Sequence, residues 1–195
     1  MKNKDEIKSL KSQLKRIAKK ELIDYKWIIK IVIIAFFISF MFSALSEITI
    51  SNVSLIIGII ILFIFIFVGI LFDMIGVAVT AADIVPFNSM NSRKIKGADI
   101  AVLFKKNADK VSSFCNDVVG DICGIVSGST GSIIATSISQ TLKMDATISI
   151  LIVTSVIASI TIGGKALGKS IGINNSNEIL YKFSKFISYF YKIKK

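Results

Sequence analysis

The side chains that could do chemistry in this chain are acidic, and they interrupt a stretch that is otherwise apolar or small. In 111–140, Asn116, Asp117 and Asp121 occur among glycines and serines. Residues three and four apart share a face of a helix. A helix here would therefore carry one polar stripe, called the acidic stripe below, formed by Asn116, Asp117, Gly120, Asp121, Gly124, Gly128 and Gly131.

Two interpretations of the acidic stripe are open. Carboxylate, amide and hydroxyl oxygens are the ligands of hard cations such as Mg²⁺, and Asp73 could add a further carboxylate. Because a carboxylate facing lipid costs several kcal/mol, we expect Asp117 and Asp121 to face protein or a watery cavity. Alternatively, the glycines only permit close approach of another helix, and the aspartates pair with lysine or cap helix ends.

Other kinds of site are disfavoured by residue type. The chain has no histidine, which removes the commonest general base and the commonest transition-metal ligand. Cys115 and Cys123 are eight residues apart, roughly 12 Å along a helix, too far for a disulfide. Two cysteines at this spacing do not make a zinc site. We predict that the protein is not an enzyme.

Composition predicts an integral membrane protein. Of 195 residues, 53% are hydrophobic, the mean hydropathy is +0.71, and the apolar residues occur in blocks. The net charge of +11 lies in segments that flank those blocks, as in cytoplasmic loops that meet anionic lipid. Membrane lipids are therefore expected partners, and nucleic acid is not.

Charge placement predicts four transmembrane helices with both termini cytoplasmic. The expected spans are about 27–45, 54–72, 111–140 and 146–164. Basic residues cluster at 2–30, 93–110 and 165–195, whereas the loops at 46–53 and 141–145 hold only Lys143. A three-span alternative that leaves 111–140 outside would put two basic clusters on opposite sides of the membrane, against the positive-inside rule.

The remaining segments predict helices at the membrane surface. Residues 1–26 form a basic amphipathic helix (with a solvated helical tail as the alternative), on the spacing of Ile7, Leu10, Leu14 and Ile17. Residues 73–110 form a cytoplasmic helical hairpin of about 74–92 and 98–109, broken at Pro86 and Gly97. Residues 171–195 form an amphipathic helix, and 27–170 are the transmembrane domain. The apolar face of the last helix is Ile179, Phe183, Phe186, Ile187 and Phe190.

Four short motifs carry a family resemblance. F-D-M-I-G-V-A at 72–78 stands where the family has an F-S-G-S-E-x-A-like turn, and Lys96-Gly97-Ala98 fits its cytoplasmic hairpin. The Asp117/Asp121 pair has the spacing of two family asparagines, and 164–169 stands in for a G-E-x-x-P-K motif. About half of the chain thus resembles the transmembrane domain of the CNNM/CorC (CorB-like) magnesium and cobalt transport family, without its cytoplasmic domains.

The resemblance implies a divalent-cation transport protein of the cell membrane, with Mg²⁺ as the bound or transported ion and a homodimer formed through small-residue faces. The implied metal ligands are Asp73, Asn116, Asp117 and Asp121, supported by Ser113 and Ser127. The heavy use of Ile, Lys and Asn indicates a bacterial inner membrane.

Two departures from the family support an alternative. Lys165 replaces the acidic residue of the last motif, and Gly76 replaces the glutamate of the first. The alternative is a non-transporting interaction or regulatory protein that keeps the scaffold, has lost the ion site, and binds a larger membrane partner.

Overall fold

The computed structural model describes the backbone of residues 25–50 and 55–191, which is almost entirely helical and contains no strand. The all-α prediction is confirmed for these residues, whereas most of the predicted N-terminal helix at 1–26 lies outside them. The helices are α1 (Tyr25–Ile50), α2 (Leu55–Ala81), α3 (Ile84–Ser92), α4 (Ala98–Lys106), α5 (Ala108–Leu142), α6 (Ala146–Asn174) and α7 (Ser176–Phe190).

Four of these helices, α1, α2, α5 and α6, are long and apolar enough to cross a membrane, as predicted. All four extend past their predicted ends, and the longest extensions are to Ala81 in α2 and to Asn174 in α6. Asp73 consequently lies within α2 and not at its end. The chain leaves α2 after Ala81, and the side chain of Asp83 accepts a hydrogen bond from the Val85 N–H and caps α3.

The proline predicted to break a helix lies instead in the first turn of one. Pro86 is the third residue of α3, where the missing N–H of proline has no intrahelical partner to lose. The predicted break at Gly97 coincides with the start of α4, and Gly97 has a φ of +86°.

The chain divides into two units after Ile34. The described part of the first unit, residues 25–34, is the beginning of α1 and exposes apolar side chains such as Ile29 and Ile33. The second unit begins at Ala35 and contains the rest of α1 and all other helices. Its side chains Ile38 and Phe42 line an apolar cleft of about 520 Å³ together with residues of α2 and α5.

Helices α2, α5 and α6 pack on one another through one apolar cluster, formed by Leu62, Ile66, Ile134 and Ile157. A second cluster joins the end of α2 to α3, α4 and α7, with Phe87 and Leu180 fully buried. There the Lys105 ammonium group donates to the carbonyl oxygens of Val79 and Thr80, at 3.3 and 2.7 Å. These are among the carbonyls that the end of α2 leaves unsatisfied.

Glycines allow α6 to approach α2 closely. A Cβ built on Gly164 or Gly168 would lie 2.2 or 3.2 Å from side-chain atoms of Ile70, and one on Gly172 would lie 2.8 Å from the Met74 carbonyl oxygen. By contrast, a Cβ on Gly124 or Gly128 of the acidic stripe would meet nothing within 4 Å. The close approach predicted at those two stripe glycines is therefore not made within the described chain.

Candidate cation site

One face of α2 positions the site against α5. Gly69, Asp73 and Gly76 recur at helical spacing and are all buried. A Cβ on Gly69 would lie 3.0 Å from the Cβ of Cys123, and a Cβ on Gly76 would lie 1.9 Å from Oδ1 of Asn116. The two glycines thus let the backbone of α2 lie close to α5, with the Asp73 carboxylate between them.

Asp73 is a carboxylate held inside the helical bundle. It is 4% exposed, and its Oδ2 lies 3.8 Å from the ammonium group of Lys169 on α6. This separation is an ion pair that is too long for a hydrogen bond. Oδ2 is buried and accepts no hydrogen bond, which is costly for an ionised group away from water.

Asn116 lies in a distorted part of α5. Between the α-helical segments Ala108–Ser113 and Asp121–Leu142, residues Phe114–Gly120 form a π-helix. Such i→i+5 segments are rare and occur frequently at functional sites. The Asn116 Nδ2 donates to the Ser112 hydroxyl at 3.4 Å, while Oδ1 lies against Gly76 and is a second buried oxygen without a hydrogen-bond partner.

The other residues of the predicted ligand set lie elsewhere. Asp117 and Asp121 are exposed on the surface of the described chain, so the expectation that both face protein or a watery cavity stays a prediction. The Asp121 side chain is 67% exposed, and its Oδ1 lies 3.7 Å from the Lys165 ammonium group. Ser127 is buried and donates to the Cys123 carbonyl oxygen of its own helix at 2.6 Å, and Ser113 is half-buried.

The angular spacing of side chains around α5 explains this division. Adjacent residues such as Asn116 and Asp117 point roughly 100° apart around an α-helix and do not share a face. The π-helical segment has more residues per turn, which makes this angle smaller but does not remove it. Asn116 and Gly120 face α2, while Asp117 and Asp121 turn away from it.

A cation at this place would have few protein donors in the described part of the chain. Among the described residues, no group of three or more His, Cys, Asp or Glu side chains could hold a metal ion together. A cation at Asp73 would therefore depend on one carboxylate and on neutral oxygens. Mg²⁺ is commonly bound in this way, through one or two carboxylates and several waters.

No protein-family model, curated protein or solved structure matches the chain. The resemblance to the CNNM/CorC transmembrane domain therefore stays a prediction.

Three residues of the site were absent from the predicted ligand set. Ser112 holds the Asn116 amide, Gly76 makes room for its oxygen, and Lys169 lies beside Asp73. Each lies three or four residues from a residue that was singled out: Ser112 from Asn116, Gly76 from Asp73, and Lys169 from Lys165. Helical spacing is therefore the signal that could have found them.

Proposed function

We propose that this protein is a divalent-cation transport protein of the cell membrane, with Mg²⁺ as the ion and Asp73 and Asn116 as the central ligands. The observation that carries the proposal is the pair of buried oxygens Asp73 Oδ2 and Asn116 Oδ1, which have no hydrogen-bond partner among the residues that the structure describes and lie on adjoining faces of α2 and α5. An ionisable group within a membrane-spanning segment is expensive and usually serves an ion pathway.

The neighbouring side chains would orient these ligands. Because the Asn116 Nδ2 is turned toward the Ser112 hydroxyl, the amide presents its oxygen toward α2. Asp73 supplies the negative charge, and its burial keeps the carboxylate from turning toward bulk water. The π-helix adds a place where α5 can change register by one residue, which would alter the position of Asn116.

The orientation in the membrane follows from charge. The segments joining α2 to α5 and following α6 must lie at the same end of a four-span bundle, and they carry Arg93, Lys94, Lys96, Lys182 and Lys185. By the positive-inside rule this end is cytoplasmic, as are both termini. The helices α3, α4 and α7 then form the cytoplasmic face, where exposed Phe186 and Phe190 would contact lipid.

The test is Mg²⁺ flux in vesicles containing the purified full-length chain. Asp73→Asn removes the charge but keeps the shape, and we expect flux to fall at least about tenfold, since the loss of a charged ligand exceeds about 1.4 kcal/mol. The matched control is Asp145→Asn: Asp145 caps α6 at the opposite end of the bundle, and asparagine caps helices as well as aspartate. Flux that is unchanged in Asp73→Asn would exclude the proposed site.

A second candidate is a non-transporting interaction or regulatory protein, and the lysines favour it. Lys165 and Lys169 each lie within 4 Å of one aspartate and could neutralise it permanently. This candidate predicts no Mg²⁺ flux in the wild type, no thermal stabilisation by Mg²⁺, and co-purification with a larger membrane protein. Stabilisation that grows with Mg²⁺ concentration would contradict it, because only a ligand of the native state raises Tm in this way.

A further inference from the structure

Two lysines of α6 lie one turn apart, and each is beside an aspartate of a different helix. The Lys169 ammonium group is 3.8 Å from Asp73 on α2, and the Lys165 ammonium group is 3.7 Å from Asp121 on α5. Because residues four apart share a helix face, α6 presents both positive charges to its two neighbours from a single face.

We infer that Lys169, with Lys165 in a lesser role, is a tethered cation that competes with the transported ion for the carboxylates and sets the affinity of the site. The inference rests on the proposed function and concerns how ion binding at the same site is regulated. A divalent ion that binds Asp73 must first displace the ammonium group of Lys169, so the lysine weakens ion binding.

In the Lys169–Asp73 ion pair, the lysine is the side chain that can move away. The Asp73 side chain is 6% exposed, whereas the Lys169 side chain is 53% exposed and has a path to solvent. The Lys165 side chain is more enclosed, at 24% exposed, but its partner Asp121 is largely open to solvent. A long, flexible lysine can move its ammonium group into water without moving the helix.

The N–O distances of these two ion pairs are also longer than that of a third ion pair in the same chain. Lys182 and Glu178 on α7 are 2.6 Å apart, a distance of direct hydrogen bonding. At 3.8 Å, Lys169 attracts Asp73 electrostatically, but Oδ2 of the carboxylate is left without a hydrogen-bond donor. The lysine therefore offsets the charge of Asp73 without forming a hydrogen bond that an incoming cation would have to break.

The expected effect is moderate because Lys169 is half exposed. Partly solvated ion pairs are weak, so removing the lysine charge should tighten Mg²⁺ binding by about two- to fivefold. Lys169→Gln removes the charge, and its amide can still donate to Asp73, whereas Lys169→Arg keeps the charge. Lys165→Gln should tighten binding by only about twofold, because solvent screens its exposed partner.

The experiment is calorimetric Mg²⁺ titration of the purified full-length chain in detergent, with Lys182→Gln as the matched control outside the site. We expect a lower Kd for Lys169→Gln than for the wild type or Lys169→Arg, and an unchanged Kd for Lys182→Gln. Binding that appears only when Lys169 is replaced by glutamine would also support the inference. A Kd that is unchanged or higher in Lys169→Gln would overturn it while the proposed function stands.

Failure of the proposed function gives a different result, in which neither the wild type nor any variant binds Mg²⁺. If Lys169→Gln does not fold, Lys165→Gln takes its place with the same criteria. Tighter binding then supports competition by the lysines, and unchanged binding contradicts it.

Discussion

Gly76→Ala should separate ion binding from folding. The methyl group would lie 1.9 Å from Oδ1 and 2.7 Å from Cγ of Asn116, and the three nearest heavy atoms all belong to the Asn116 amide. Because an amide at the end of a side chain can rotate away, the substitution should displace Asn116 and leave the backbones of α2 and α5 in place.

The expected change in stability is small because two effects oppose each other. Alanine is favoured over glycine in a helix interior by about 1 kcal/mol. Displacing Asn116 breaks its 3.4 Å hydrogen bond to Ser112, which costs about 0.5–1.5 kcal/mol. The free energy of unfolding should therefore change by less than about 1 kcal/mol. The Kd for Mg²⁺ should rise at least about tenfold, since the site loses one of its two central oxygens.

The assay measures Tm and the Mg²⁺-dependent rise in Tm for the full-length protein in detergent. The control is Gly124→Ala on α5, where the new Cβ meets nothing within 4 Å and Mg²⁺ stabilisation should be retained. The reasoning is refuted if Gly76→Ala lowers Tm sharply while Mg²⁺ still stabilises the protein normally, because Asn116 would then be structural and not a ligand.

Two further predictions concern α4 and α7. Gly97→Ala should destabilise the protein by about 2–4 kcal/mol, measured as a fall in Tm, because it combines a left-handed backbone with a clash: φ is +86°, and the Cβ would lie 2.7 Å from the Lys185 Cα. An unchanged Tm would contradict the left-handed backbone at Gly97 and its close packing against Lys185. Hydrogen bonding to Lys182, together with its charge, lowers the pKa of Glu178, so the stabilisation is present above the ordinary glutamate pKa of about 4.3 and is lost as the pH falls through the lowered value. The Tm difference between wild type and Glu178→Gln should therefore shrink on acidification, and a difference that grows would contradict the sign.

The sequence predicted the helical class and the number of long apolar helices because both depend on properties summed over many residues. It did not predict where α2 ends. The apolar pattern places Asp73 directly after a span, since a charge usually marks the edge of the apolar core. In the structure, Asp73 is buried within the bundle and lies beside Lys169 of α6. Whether a carboxylate ends a span or sits inside it depends on contacts with another helix, which the order of residues in one segment does not contain.

The acidic stripe was also predicted only in part, because contacts with a neighbouring helix decide which of its residues are buried. Asn116 and Asp117 are adjacent in sequence, yet one faces α2 and the other is exposed. Nothing in F-C-N-D-V-V-G marks a π-helix by composition, because the extra residue per turn is stabilised by tertiary packing and not by local propensity. A stripe that includes two adjacent residues also covers more of the helix surface than one neighbouring helix contacts.

Two glycine repeats of identical spacing end in different surroundings, and the polar residues beside them indicate why. The repeat of α6, Gly164, Gly168 and Gly172, packs against α2, whereas Gly124 and Gly128 of α5 face open space. Small residues permit close approach but do not choose a partner. On α6, Lys165 and Lys169 accompany the repeat, and pairing them with Asp121 and Asp73 requires that α6 turn this side toward α5 and α2. The ion pairs and the close glycine contacts therefore lie on the same side of α6 and together define its packing against α2 and α5.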